Sequence, residues 1–140
     1  MKRAHYHAVY DLKYHLVLVT KYRNPVLSDQ ILKRLKEILV ALCDKWDVQL
    51  LEFNGEKDHV HLLIDAHPSL ELSRFINNIK TVTSRKVRKE FAQELAKYYW
   101  KPLLWTRAYF IATTGGAPLE VIKQYIEKQG KKPNSSPPKS

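Results

Sequence analysis

Residues 56–66 read EKDHVHLLIDA, an apolar run that holds His59 and His61 with only Val60 between them. Side chains alternate between faces along a strand, so the two imidazoles share one face while Val60 enters the other layer. Paired imidazoles can hold a divalent metal. They can equally be polar residues on a wetted sheet face, because a metal site also needs a third ligand and open positions. The segment VIKQYIEKQG, residues 121–130, offers candidates for the missing parts. Tyr125 and Gln129 are four residues apart and therefore share one face of a helix. Gln129 carries an amide oxygen that can act as a third ligand, and Tyr125 places a phenol one turn away. Two imidazoles and an amide are uncharged, so a metal held by them keeps its full double charge and has positions open for a phosphate. A tyrosine beside such a site is a candidate nucleophile on phosphorus. Without the metal it is an ordinary aromatic at a helix edge.

These residues need elements to position them. The run Tyr14 to Tyr22, YHLVLVTKY, is rich in β-branched and aromatic residues and predicts a strand that RNP then breaks. Ser28 is a candidate N-cap for a helix carrying Ile31, Leu35, Ile38, Leu39, Leu42 and Trp46 at helical steps. VQLLEFNGE predicts a second strand ending in a turn at Asn54-Gly55, and DHVHLLIDA the third, the two forming an antiparallel hairpin. A second helix is expected to start near Leu70, with an apolar stripe of Leu72, Phe75, Ile76, Ile79, Val82 and Val87. Its opposite stripe is Arg74, Asn78, Thr81, Arg85 and Arg88. The stretch Tyr98 to Trp105 reads as an aromatic loop. AYFIATT, residues 108–114, predicts a fourth strand. Gly115-Gly116 ends it, and Pro118 suits the first turn of a final helix with Leu119, Ile122 and Ile126 as its apolar residues. The order β-α-β-β-α-β plus a helix is an α+β, ferredoxin-like split βαβ pattern: one antiparallel sheet, two helices on one face and a C-terminal helix. Residues 1–130 make a single domain. The Pro/Ser/Lys-rich residues 131–140 are expected to be a disordered tail.

Composition narrows the partner. Lys and Arg number 24 against 14 acidic residues, for a formal charge of +10. Such an excess favours polyanions, nucleic acid first among them. The one cysteine, Cys43, cannot form a disulfide within the chain, and no run approaches the length of a membrane span. A soluble, cytoplasmic protein is expected.

The blocks YHLVLVTKYRNPVL, GEKDHVHLLID, IKTVTSRKVRKEF, LWTRAYFIATTGG and PLEVIKQYIEKQ, in this order, resemble the insertion sequence 200/605 type transposases. These are single-strand DNA transposases of the histidine–hydrophobic–histidine endonuclease superfamily with one catalytic tyrosine. The resemblance spans roughly residues 10–130. It implies that His59 and His61 are the metal-binding pair, Gln129 the further ligand and Tyr125 the nucleophile. It also implies Mg²⁺ as the metal, with Mn²⁺ a plausible substitute for nitrogen ligands. The implied reaction is cleavage and rejoining of single strands beside hairpins through a 5′-phosphotyrosine intermediate. The implied assembly is a homodimer that shares its active sites; Gly115-Gly116 can be a joint for exchange of the last helix or only a strand-end turn.

Candidate DNA contacts are Arg74, Lys80, Arg85 and Arg88 on the second helix and Lys21 and Arg23 after the first strand, with Tyr22 beside them. Trp105 and Tyr109 are candidates for stacking on unpaired bases. Histidine-triad hydrolases are excluded because Leu63 stands where a third alternating histidine is needed. Two-histidine phosphoesterases are excluded because the two His-x-Ser/Thr motifs they need do not occur. Relaxases and rolling-circle initiators usually need more chain than this. The remaining alternatives are a related single-tyrosine endonuclease acting on chromosomal repeat hairpins and a non-catalytic nucleic-acid-binding ferredoxin-like module.

Overall fold

A computed structural model describes residues 3–5, 8–113 and 119–130. Two short strands, β1 (Arg3–His5) and β2 (Ala8–Tyr10), pair as a small antiparallel ribbon that the sequence patterning did not suggest. β3 (Leu12–Val19) follows and starts two residues earlier than expected. It stops at Val19 because Lys21–Arg23 turn into a short 3-10 segment. Next come α1 (Asp29–Lys45), β4 (Gln49–Gly55), β5 (His59–Ala66) and α2 (Leu72–Glu90). A five-residue helix, α3 (Ala92–Ala96), precedes the aromatic loop, and β6 (Phe110–Thr113) and α4 (Leu119–Lys128) complete the chain. The expected Gly115-Gly116 joint, Pro118 and the tail 131–140 lie outside the described residues.

The four-stranded sheet has the order β4-β5-β3-β6 with every neighbouring pair antiparallel, which is the split βαβ arrangement. The period-two pattern of β3 and β5 sets its two faces. Leu16 and Leu18 with Val60, Leu62 and Ile64 enter a core against α1 and α2. Val17 and Val19 enter a smaller cluster on the other face, with Ile122 of α4 and partly buried Phe110, Tyr125 and Ile126. Helices therefore lie on both faces: α1 and α2 on one, as expected, and α4 on the other.

Local chemistry explains the boundaries. The Ser28 side chain accepts from the Ile31 N–H at 3.3 Å and caps α1, whose Ile31, Leu35, Ile38 and Leu39 are buried. In α2 the core side is Phe75, Ile76, Ile79, Thr83 and Val87, so Thr83 takes the inner position expected for Val82. Its hydroxyl donates to the Ile79 carbonyl at 2.6 Å and accepts from the Trp105 indole at 2.9 Å, so the polar atom is buried with partners. Asn54 and Gly55 stay in β4 opposite His61 and Val60, and the turn falls one step later, with the Glu56 N–H donating to the His59 carbonyl at 2.9 Å. Gly55 serves close packing here rather than a turn: a Cβ would collide with the Leu32 side chain of α1. The register shift in β4 between Leu50 and Glu52 makes a bulge. It lets Leu50 and Phe53, three residues apart, both pack on the helical core, and it turns Glu52 towards the histidine face.

Candidate active site

The pairing of β3 with β5 sets Val17 opposite His61 and Val19 opposite His59. Both imidazoles therefore stand on the sheet face under α4, as period two requires. The His59 Nδ1 atom lies 2.8 Å from the Asp58 carboxylate, which also accepts from Arg23 Nε at 3.3 Å. An Nδ1–H donated to a carboxylate leaves the Nε2 lone pair outward, the usual state of a metal-binding imidazole. His61 meets a residue that sequence reasoning missed, His15. Its Nδ1 is 2.8 Å from His61 Nε2, and the rings stack with centroids 5.0 Å apart. One ring donates to the other here, so ligation through His61 Nε2 would displace this hydrogen bond. Burial pushes the His61 imidazole below its ordinary value, and the His15 ring acts in the same direction. A neutral ring keeps the lone pair a metal needs.

Arg23 is delivered by strained backbone. Tyr22 and Arg23 have φ of 62° and 55°, a left-handed pair without glycine. Surrounding bonds hold it: Thr20 Oγ1 donates to the Asn24 carbonyl at 2.8 Å, and the Tyr99 hydroxyl donates to the Lys21 carbonyl at 2.6 Å. The strain is spent on placing a guanidinium between Asp58 and open space.

A cavity of about 450 Å³ opens over the pair, walled by Arg23, Glu56, Asp58, His59 and His61. The α4 residues on it are Ile122, Lys123, Ile126 and Glu127. Tyr125 packs instead against Phe110, with ring centroids 5.3 Å apart. Its hydroxyl is buried and has no hydrogen-bond partner among the described residues, and burial raises its pKa. Gln129 lies just past the end of α4, and its amide nitrogen donates to the Tyr125 carbonyl at 3.2 Å. The structure thus brings His59 and His61 to one cavity, with Tyr125 on the covering helix, Gln129 just past its end, and neither among the described residues that line the opening.

The residues fit a divalent metal as a partial donor set. Among the described residues no three His, Cys, Asp or Glu side chains form a metal-binding group, so the imidazole pair needs a donor of another kind. An amide oxygen such as that of Gln129 is one.

The family described as "Transposase IS200 like" matches residues 8–129. The chain belongs to the IS200-like transposase family. The ISDra2 transposase TnpA of Deinococcus radiodurans is 32% identical over 121 residues, covering 86% of each chain. The transposase for insertion sequence element IS200 of Salmonella typhimurium is 29% identical over 123 residues, covering 88% of this chain and 80% of its own. A crystal structure from Deinococcus radiodurans, described as that of a candidate transposase, superposes with a TM-score of 0.84 at 33% identity over 94% of this chain and 99% of that one. The structure of a REP-associated tyrosine transposase bound to a REP hairpin shares the fold, with a TM-score of 0.54 at 9% identity over 92% of this chain and 70% of that one. Membership in the IS200-like transposases makes this chain a DNA-cleaving enzyme by family. No helix among the described residues is long and apolar enough to cross a membrane.

The candidate DNA contacts of this IS200-like transposase are scattered by the structure. Arg23 lines the histidine cavity, and Lys21 extends over the Tyr22 ring at 5.3 Å. Arg74 is exposed and pairs with Glu71 at 3.2 Å, and Arg85 is exposed. Asn78, on the same stripe, accepts from the Trp46 indole of the α1 C-cap at 3.1 Å, so part of that stripe faces α1. Lys80 donates to the carbonyls of Thr106 and Arg107 at 3.0 and 2.7 Å, and burial lowers its pKa. Arg88 Nε donates to Ser84 Oγ at 3.1 Å. Trp105 is 8% exposed with its indole N–H bonded to Thr83, so it belongs to the core and not to a stacking surface. Tyr109 is half-buried beneath Lys80, whose ammonium is 5.6 Å from the ring. His15 was legible in principle, since period two in YHLVLV puts it on the face of Val17 and Val19. Asp58 carried no periodic signal at all.

Proposed function

We propose that this chain cuts and rejoins single-stranded DNA beside hairpins, with Tyr125 as the nucleophile and a 5′-phosphotyrosine as the intermediate. The observation that carries the reading is the imidazole pair on the sheet face beneath the tyrosine helix, around a cavity that also holds Arg23 and Lys123. His59, His61 and the Gln129 amide oxygen would hold a divalent ion, Mg²⁺ by preference and Mn²⁺ as a substitute, which would supply positive charge to a non-bridging phosphate oxygen. Asp58 accepts from His59 Nδ1 and so orients the ring with Nε2 outward. Arg23, itself anchored by Asp58, offers its remaining N–H groups to the DNA backbone. Attack by the Tyr125 oxygen forms a phosphodiester and releases a 3′-hydroxyl. A different 3′-hydroxyl then displaces the tyrosine oxygen, so strands join without a nucleotide cofactor.

The active unit in this reading is a homodimer in which each tyrosine helix serves the partner's histidine pair. What supports it is the resting place of Tyr125: a hydroxyl buried against the sheet, with raised pKa, is poorly placed to attack. Attack requires α4 to sit differently from its position here.

Incubation with Mg²⁺ and single-stranded element ends carrying hairpins, followed by a denaturing gel, tests the reading. A covalent protein–DNA adduct is expected with the wild type and none with Tyr125→Phe or in excess EDTA. An adduct with Tyr125→Phe would remove the nucleophile assignment. Purified heterodimers of Tyr125→Phe and His59→Ala/His61→Ala chains test the shared site. Adduct on the chain lacking histidines is expected, and no adduct in verified heterodimers would place the site within one chain.

A further inference from the structure

Trp100 is 86% exposed, against 8% for Trp105. It stands at the loop after α3, with the Lys101 ammonium 5.2 Å from its ring. A concavity of about 240 Å³ beside it is walled by Arg88, Tyr99, Lys101 and Leu103. A second, of about 280 Å³, is walled by Lys80, Ser84, Arg88, Thr106 and Arg107. The two adjoin, sharing Arg88, Pro102 and Leu103 as walls. Together they make a trough along the flank of α2, and among the described residues no carboxylate lines either part.

The trough is separate from the histidine cavity yet tied to it. At its far end the Thr106 N–H donates to the Val19 carbonyl at 2.8 Å, and Val19 is the strand partner of His59. Lys80 spends its ammonium on the Thr106 and Arg107 carbonyls, so it fixes the trough wall. Lys101 and Arg107 are exposed, and Arg88 has guanidinium N–H groups beyond the one bonded to Ser84.

We propose that this trough is a single-strand subsite in which Trp100 stacks on an unpaired base while Arg88, Lys101 and Arg107 hold the flanking phosphates. It rests on the reading above that the substrate is single-stranded DNA. An indole this open to solvent is a stacking platform that suits an unpaired base, whereas duplex bases already stack on one another. The Lys101 cation beside the ring places a phosphate contact next to the stacked base. The charged wall residues, Lys80, Arg88, Lys101 and Arg107, are all cationic and stand beside apolar Leu95, Pro102 and Leu103, a lining suited to a polyanion that also carries flat apolar faces.

Anisotropy with a labelled short oligothymidylate and a blunt duplex of the same length tests this. The full chain carries Tyr125→Phe so that no adduct forms. Trp100→Ala is expected to weaken oligothymidylate binding by about five- to hundredfold and to leave duplex binding nearly unchanged. Trp100→Phe keeps a ring and loses less. Arg88→Ala/Arg107→Ala is expected to lower affinity and flatten its salt dependence. Equal oligothymidylate binding by Trp100→Ala and its parent would overturn the subsite while leaving the transposase reading intact, provided the wild type still forms its adduct. Conversion of a dimer to a monomer by Trp100→Ala, seen in sedimentation, would also overturn it and assign the indole to contact between copies. Failure of the parent to bind either probe at low salt would sink the subsite and the single-strand reading together.

Discussion

From β3, Leu16 and Leu18 point beneath α1 and α2, while His15, Val17 and Val19, one residue out of step, point beneath α4. The first layer is a broad apolar core that includes Phe75, Ile76 and Ile79 at 0% exposure, and its buried hydroxyl, Thr83, has partners. The second is a small cluster in which two valines and Ile122 sit among imidazoles, an open cavity and a buried phenol without a hydrogen bond among the described residues. One strand thus serves two ends. The face with satisfied groups and dense packing holds the fold, and the face with an unmet hydroxyl and a thinly packed helix is where the proposed exchange of α4 would cost least. Changes on the two faces should therefore separate activity from stability.

The largest separation is expected from His59→Ala/His61→Ala. Cleavage should fall by about a thousandfold or more, because charge stabilisation worth several kcal/mol is lost. Both rings are only half-buried, so thermal stability should change by about 1 kcal/mol or less. A gel assay paired with calorimetry checks both halves. Undiminished cleavage would return the pair to polar residues on a wetted face.

On the other face the signs reverse. Phe75→Ala should cost about 3–5 kcal/mol by leaving a cavity where no solvent reaches. Ile122→Ala on α4 removes similar chemistry from a far smaller cluster. It should change the global melting temperature little and speed hydrogen exchange within α4 alone. Equal global losses for the two variants would show that α4 is part of the cooperative core and would argue against its exchange between chains.

This asymmetry was half visible in the sequence. Period two in LVLV and HVHLLI gave the strands and their faces, and helical spacing gave α1 and α2. The facing of Tyr125 and Gln129 followed from their spacing, but the side of the sheet that α4 covers did not, because helical periodicity says nothing about topology. His15 escaped because its role depends on the β3–β5 register, which pairs residues 46 apart in sequence. Trp105 was expected on a stacking surface, not in the core, for a similar reason. An aromatic in a loop reads the same whether its N–H meets a Thr83 hydroxyl from another helix or water. The β4 bulge hid the alternation of Leu50 and Phe53 by inserting one residue. Long-range pairing decided each of these cases, and local propensity does not carry it.

Two buried hydroxyls sharpen the comparison at smaller scale. Thr83→Val keeps the shape and removes the bond to the Trp105 indole, leaving a buried N–H without its partner. A loss of about 1–3 kcal/mol is expected, with a shift in Trp105 fluorescence. A neutral result would mean that water reaches the indole.

Tyr125→Phe is the converse and the smallest expected effect. The Tyr125 oxygen is buried and has no hydrogen-bond partner among the described residues, while its ring packs on Phe110. Removing the oxygen keeps the ring contact and removes a desolvation cost that nothing offsets. The residue is half-buried, so the full penalty of an unmet buried group does not apply. A gain of about 0.5–1 kcal/mol is expected, read as a rise in melting temperature of the metal-free protein, together with complete loss of adduct. Thr83→Val and Tyr125→Phe delete chemically similar groups on opposite faces, so opposite signs would show that the helical face has its polar atoms satisfied for stability while the tyrosine face carries an unsatisfied one. A fall in melting temperature for Tyr125→Phe would mean that the hydroxyl has a partner in solution. If that fall appeared only at concentrations where the chain dimerises, the partner would lie in the second copy.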